Sequence, residues 1–189
     1  MDPDRDDAVR LRRGDLGGLT GLMERHQGRL FRYLARLLGD ETVAEDVFQQ
    51  SWIRVSERIS RYDSSRPFAP WLLALAHNLA VDQLRRHQPE SLEDAEETAA
   101  SDGLEGRAVG EPFARLLARE RGERLAAAVA GLDAAEREVL ALRFEQDLTL
   151  GEMASVLGVP LPTAKARLYR ALSRLRRCLL AKGLPEEWT

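Results

Sequence analysis

The apolar side chains of this chain recur at the spacing of an α-helix over almost its whole length. β-branched residues are sparse, and Ala, Leu, Arg and Glu dominate, so the alternation typical of strands is nearly absent. Asp133 with Glu136, and Thr149 with Glu152, have the spacing of capping boxes at helix starts. We therefore predict an all-α fold. The predicted helices lie at about 5–13, 16–38, 41–60, 68–87, 113–130, 134–145, 150–157 and 162–182.

Charge divides the 189 residues into three parts. Residues 1–90 carry 14 basic and 14 acidic side chains, residues 91–112 carry 1 and 7, and residues 113–189 carry 13 and 10. Carboxylates in the middle part repel one another, and few large apolar residues interrupt them, which favours a flexible chain. We predict two small helical domains, residues 1–90 and 113–189, joined by a flexible acidic linker at 91–112.

Several functional classes are excluded by residue counts. The single cysteine, Cys178, rules out a disulfide scaffold and a Cys-rich zinc module. The acidic N-terminus and the lack of a long apolar run exclude a secretory signal and a membrane span, so we expect a cytoplasmic protein. The three histidines have no metal-ligand spacing and are expected at the surface or its boundary. No phosphate loop or nucleophile triad is present, so we expect no enzyme activity, metal or cofactor.

The segment from Leu161 to Lys182 is the most informative. One face is apolar and the other is basic, with seven basic residues and no acid from Pro162 to Lys182. A short turn with Gly158 separates it from the preceding helix, which is the helix-turn-helix pattern. Such a helix enters the major groove by its N-terminal residues, while its later turns contact the DNA backbone.

The alternative to DNA binding is an ordinary amphipathic helix whose basic face is simply solvated. The predicted DNA-contacting residues are Thr163, Ala164, Lys165, Arg167, Arg170, Arg174 and Arg177.

Two helices of the first domain have distinctive polar faces. In the helix at 41–60, Ile53 lies within a polar stripe, which suits either partner docking or a single exposed apolar residue. In the helix at 68–87, Trp71, Asn78, Asp82 and Arg85 share a stripe that could stack and hydrogen-bond unpaired bases. The alternative places Trp71 in the core and pairs Asp82 locally.

Four segments together resemble the extracytoplasmic-function (ECF) sigma factors of bacterial RNA polymerase. These are AEDVFQQSWIRV at 44–55, FAPWLLALAHNLAVDQLRR at 68–86, LDAAEREVLALRF at 132–144 and GVPLPTAKARL at 158–168. They are similar, in order, to the polymerase-binding helix, the −10 melting segment, the opening of the second DNA-binding domain and the start of the −35 recognition helix. Gln50, where an acid is usual, and Ala166, where Ser is common, depart from the family pattern.

The resemblance implies a mechanism and its partners. The first domain would bind core RNA polymerase and capture an unpaired −10 base, the second would read −35 duplex DNA, and the linker would thread through polymerase. An anti-sigma factor is a further partner to expect. The polymerase-binding residues would be Asp46, Gln49, Gln50 and Ile53. The −10 residues would be Tyr62, Asp63, Ser64, Ser65, Arg66, Asn78, Arg85 and Arg86.

Two other classes of protein remain possible from the sequence. A stand-alone DNA-binding regulator would bind duplex DNA tightly without polymerase, usually as a dimer. A helical adaptor would bind only protein, which the seven basic residues on one helix disfavour.

Overall fold

The computed structural model describes residues 2–87, 122 and 124–181, and no strand forms among them. The all-α class is therefore confirmed for this part of the chain. The linker predicted at 91–112 lies outside the described residues, as does most of the helix predicted at 113–130, of which residues 124–130 are helical.

The N-terminal body contains four α-helices: α1 (Pro3–Arg12), α2 (Gly17–Leu38), α3 (Glu41–Arg58) and α4 (Phe68–His87). A 3-10 turn (Ile59–Arg61) continues α3. Gly39 ends α2 with a φ of 68°, a left-handed conformation that costs glycine little. The next residue, Asp40, then caps α3 by accepting a hydrogen bond from the Val43 amide.

These helices bury one apolar core. It is formed by α2, α3 and α4, with α1 packed against α2. At Gly18, a Cβ atom would lie 2.3 Å from the Asp7 carbonyl oxygen, so only glycine permits this close approach of α1. The largest fully buried side chains of the body are Tyr33, Phe68, Leu22, Leu30, Leu34, Leu72, Val47 and Val55.

The C-terminal body is built around a helix-turn-helix. It contains α5 (Ala134–Leu140), which continues as a π-helical turn (Ala141–Glu145), then α6 (Leu150–Val156) and α7 (Leu161–Ala181). Both predicted capping boxes form, at Asp133 with Glu136 and at Thr149 with Glu152. Leu142, Met153 and Val156 are fully buried between these helices.

The two bodies pack against each other, with α4 on α6. The sequence predicted two linked domains and left their relative orientation open, so this packing is a result of the tertiary structure. Among the described residues, no helix combines the length and apolar character that a membrane crossing requires.

Candidate nucleic-acid interfaces

The turn between α6 and α7 has the geometry of a Schellman motif. Gly158 has a φ of 62°, and the Val159 amide donates back to the Ala154 carbonyl at 3.1 Å. The Leu157 amide donates to the Met153 carbonyl at 2.9 Å. The Met153 and Ala154 carbonyls near the end of α6 are therefore satisfied, and the turn sets the direction in which the chain enters α7.

Helix α7 separates its buried and exposed residues as the sequence predicted. Leu168, Ala171 and Leu179 face the core, while Lys165, Arg170 and Arg177 are exposed. Thr163 and Arg167 are half-buried at the edge of the exposed face. The prediction that Ala164 contacts DNA is wrong, because Ala164 is fully buried and shares the face that packs on the domain. Its small side chain serves the contact between helices.

Tyr169 also belongs to the exposed face, although it is not among the residues predicted from the sequence to contact DNA. Its side chain is 57% exposed, and the Lys165 Nζ lies 5.8 Å from its ring centroid. At this distance the ammonium is attracted to the ring face. The i, i+4 spacing of Lys165 and Tyr169 is the sequence signal that could have identified the pair.

Arg174 is already engaged within the C-terminal body. Its Nη1 lies 3.4 Å from Glu136 Oε2 and 3.6 Å from Asp133 Oδ2, the two residues of the capping box. The sequence places Arg174 with Arg177 in the later turns of the helix, at the edge of the groove, but in the structure the charge of Arg174 is partly neutralised by this ion pair.

The loop before α4 is held by its own hydrogen bonds. The Asp63 carboxylate accepts from the Ser65 amide at 3.0 Å and from the Ser65 hydroxyl at 2.7 Å. These bonds, with the nearby Arg66 charge, lower the pKa of Asp63. The Tyr62 hydroxyl donates to the Arg66 carbonyl and closes the loop from the other side. Asp63, Ser65, Arg66 and Pro67 are exposed, so the loop is ordered and open to a ligand.

The prediction that Tyr62 contacts a base is wrong for the structure as it stands. Its side chain is only 3% exposed, and its ring packs 5.4 Å from Phe68 and 5.1 Å from Trp71, centroid to centroid. Burial, followed by the negative charges of Asp2 and Asp4, raises the pKa of Tyr62 to about 12. The neutral phenol therefore supports the loop from beneath.

The polar stripe of α4 is exposed at Asn78, Asp82, Arg85 and Arg86. Trp71 is half-buried in the aromatic cluster with Tyr62 and Phe68, which agrees with its interpretation as a core residue at the helix start. Asn78 lies ten residues beyond Phe68, or about 15 Å along the helix axis. The loop and Asn78 are thus two separate exposed points of the N-terminal body.

The polar stripe of α3 is also exposed. Asp46, Gln49 and Gln50 are open to solvent, and Ile53 is 58% exposed. The opposite side of α3 buries Val47, Trp52 and Val55. Ile53 is therefore an apolar side chain in the middle of a polar surface.

A buried polar cluster joins the two bodies, and no local sequence pattern predicted it. The Tyr33 hydroxyl donates to Glu138 Oε1 at 2.9 Å and lies 3.1 Å from His77 Nδ1, which is itself 2.9 Å from Glu138 Oε1. The expectation that every histidine lies at the surface or its boundary is wrong for His77, which is buried. Burial and the Glu138 charge raise the pKa of Tyr33 well above its usual range.

Comparison with known proteins is consistent with this arrangement. The Sigma-70 region 2 family model matches residues 22–90, and the Sigma-70, region 4 model matches residues 128–177. The chain is 28% identical to the ECF RNA polymerase sigma factor SigW of Bacillus subtilis, over 89% of this chain and 92% of SigW. It is 30% identical to SigK of Mycolicibacterium vanbaalenii, over 87% of this chain and 83% of SigK.

Two solved structures have a similar fold. CnrH, in complex with the cytosolic domain of CnrY, gives a TM-score of 0.65 at 25% identity, over 95% of this chain and 99% of CnrH. RpoE of Bartonella quintana, in complex with the anti-sigma factor NepR, gives 0.65 at 19% identity, over 85% of this chain and 95% of RpoE. From the two region matches and the relatives that span most of its length, the chain belongs to the ECF family of RNA polymerase sigma factors.

Proposed function

We propose that this sigma factor binds core RNA polymerase through the α3 stripe of Asp46, Gln49, Gln50 and Ile53. It then opens the −10 element with the loop before α4 and reads −35 duplex DNA with α7. The chain makes and breaks no covalent bond, so it acts as an initiation factor and not as an enzyme.

The observation that carries this proposal is the loop at 63–67, which is exposed yet internally ordered. An ordered loop loses little conformational entropy when it receives a ligand. Hydrogen bonds from the loop to an unpaired base offset part of the cost of unstacking that base. The exposed Asn78, Arg85 and Arg86 continue the surface along α4 and supply amide and guanidinium donors for bases and phosphates.

For the −35 element, the exposed first turns of α7 supply the contacts. Lys165 and Arg167 reach base edges or the nearest phosphates, while Arg170 and Arg177 neutralise backbone phosphates. Tyr169 joins this set, because its exposed ring can meet a thymine methyl group or a sugar.

The domain limits 1–90 and 113–189, with the linker at 91–112, are part of the proposal. Inclusion of residues 1–21 in the first domain is supported by the packing of α1 on α2. An anti-sigma factor stays a prediction. It is supported by CnrH, which was solved with the cytosolic domain of another protein, CnrY.

The test is transcription in vitro with bacterial core polymerase on a template library randomised around −35 and −10, with sequencing of the RNA 5′ ends. We expect transcripts above the core-only background, from templates that share two short sequence blocks. Transcripts no more frequent than with core alone, together with tight duplex binding by the free protein, would instead indicate a stand-alone regulator.

A further inference from the structure

Helix α1 precedes the residues matched to region 2 and has no role in the proposed function so far. Its last residue, Arg12, nevertheless reaches the chain segment that leads into the −10 loop. The Arg12 Nη2 donates to the Tyr62 carbonyl oxygen at 2.6 Å and to the Ile59 carbonyl oxygen at 3.4 Å. Tyr62 is the residue from which the loop departs, so this bond fixes the start of the loop.

Helix α1, which carries Arg12 at its end, is itself held firmly on α2. Arg25 of α2 donates to Asp4 and to Asp7 of α1, each at 2.7 Å. His26 Nε2 lies 2.8 Å from Asp4, and the His26 ring lies 5.3 Å from the Phe68 ring. Because Gly18 allows α1 to lie directly on α2, the helix has little freedom to shift. Arg12 therefore connects the loop to the core of the body.

The loop's internal bonds cannot replace this connection. The Asp63 and Tyr62 hydrogen bonds set the shape of the loop, but they move with it. Its placement relative to α4 depends on the buried Tyr62 ring and on the Arg12 bond to the Tyr62 carbonyl. A charge-assisted hydrogen bond at 2.6 Å is among the stronger ones that a side chain forms with the backbone.

We propose that α1 braces the −10 loop and that Arg12 is a positioning residue for promoter opening. The inference rests on the proposed function of the loop at 63–67. Arg12 itself does not touch DNA in this scheme; it holds the loop where an unpaired base can be received. A shift of about 1 Å in such a receiving surface is enough to slow a dependent step considerably.

The first test uses the free, full-length protein and needs no promoter. Arg12→Met removes the donors and keeps the unbranched stem of the side chain, whereas Arg12→Lys keeps one charged ammonium donor. The Tyr62 amide donates to the Ile59 carbonyl, which Arg12 also contacts. Amide hydrogen exchange at Tyr62 should therefore be faster in Arg12→Met and intermediate in Arg12→Lys, while exchange within α2 stays unchanged. Arg13→Met is the matched control, because Arg13 is exposed and makes no side-chain hydrogen bond among the described residues. Exchange in Arg12→Met that equals the Arg13→Met value would overturn the brace.

The second test uses holoenzyme and a promoter from the library selection. Arg12→Met should slow open-complex formation on duplex DNA by roughly tenfold or more, and less on a template already melted at −10. Core-polymerase binding should stay unchanged, and Arg12→Lys should recover part of the rate. A merely structural role would lower all of these activities together.

A loop variant separates failure of this inference from failure of the proposed function. Ser65→Ala with Arg66→Ala removes exposed polar groups of the loop directly. If this variant opens duplex promoters normally, the loop does not receive a base, and the proposed −10 function fails. If it is defective while Arg12→Met is normal, the loop function stands and only the brace is wrong.

Discussion

At the scale of single residues, Tyr62 shows how burial and charge support the loop. Its pKa is raised to about 12, whereas the side chain in an unfolded chain titrates near ~10. The folded state therefore keeps the Tyr62 phenol protonated up to a higher pH than the unfolded state does. This difference in pKa favours the folded state. Its contribution to the unfolding free energy is fully present below about pH 10 and is lost as the pH rises from about 10 to about 12. We expect the unfolding free energy, measured in urea from about pH 9 to 11.5, to fall in the wild type and to fall less in Tyr62→Phe. Parallel curves for the two proteins would contradict this assignment.

At the scale of elements, α7 contains arginines that differ in their surroundings. Arg170 is exposed and has no ion pair among the described residues, whereas Arg174 pairs with Asp133 and Glu136. We expect Arg170→Ala to reduce the slope of log K against log salt for random duplex DNA by about 1. Arg174→Ala should change the slope less and should destabilise the protein by about 1 kcal/mol or less, because it removes a partly exposed ion pair. Equal slopes for the two variants would contradict the distinction.

The exposed stripe of α3 leads to a second prediction for an element. Asp46→Arg with Gln49→Ala reverses one charge and removes one amide from this surface without touching the core. We expect weaker binding to core polymerase, measured by a fluorescence titration, with unchanged helicity. Glu24→Arg with Gln27→Ala makes the same chemical changes at the same i, i+3 spacing on exposed positions of α2. That control should bind normally, and equal binding by both variants would rule out the α3 stripe.

At the scale of the whole molecule, the two bodies are in contact, whereas the two promoter elements they would read lie far apart on the DNA. The −35 and −10 elements lie about 25 base pairs apart, or roughly 85 Å at ~3.4 Å per base pair. The proposed 22-residue linker at 91–112 could span at most about 75 Å, and each body adds its own width. Reading both elements at once therefore requires the packed bodies to separate. The bonds that would break include those of Glu138 with Tyr33 and His77, those of Arg29 and Arg36 with Glu145, and that of Gln146 with the Arg29 carbonyl.

This requirement predicts the effect of loosening the contact. Glu138→Gln removes the negative charge of the carboxylate that both the Tyr33 hydroxyl and the His77 ring contact. We expect a larger radius of gyration by small-angle X-ray scattering at neutral pH, with unchanged helicity. Glu24→Gln, an exposed change on α2, is the control and should scatter as the wild type does. A variant at Glu138 that stays as compact as the wild type would show that this cluster does not hold the bodies together.

Sequence alone determined the helices, their caps and the helix-turn-helix, because those features depend on neighbours within a few positions. The boxes at Asp133 and Thr149 each close over three residues, and the two faces of α7 follow from its own periodicity. The exposed stripes of α3 and α4 were predictable for the same reason.

Only the tertiary structure decided which of the selected side chains are free to act. Tyr62 is buried because Phe68 and Trp71 pack against it, and Arg174 pairs with two residues at the start of another helix, which a helical wheel of one segment does not include. The Arg12 bond to Tyr62 joins residues 50 positions apart, and the Tyr33 bond to Glu138 joins residues 105 apart. No local pattern encodes such pairs, since each partner is chosen by how whole helices pack and not by its neighbours along the chain.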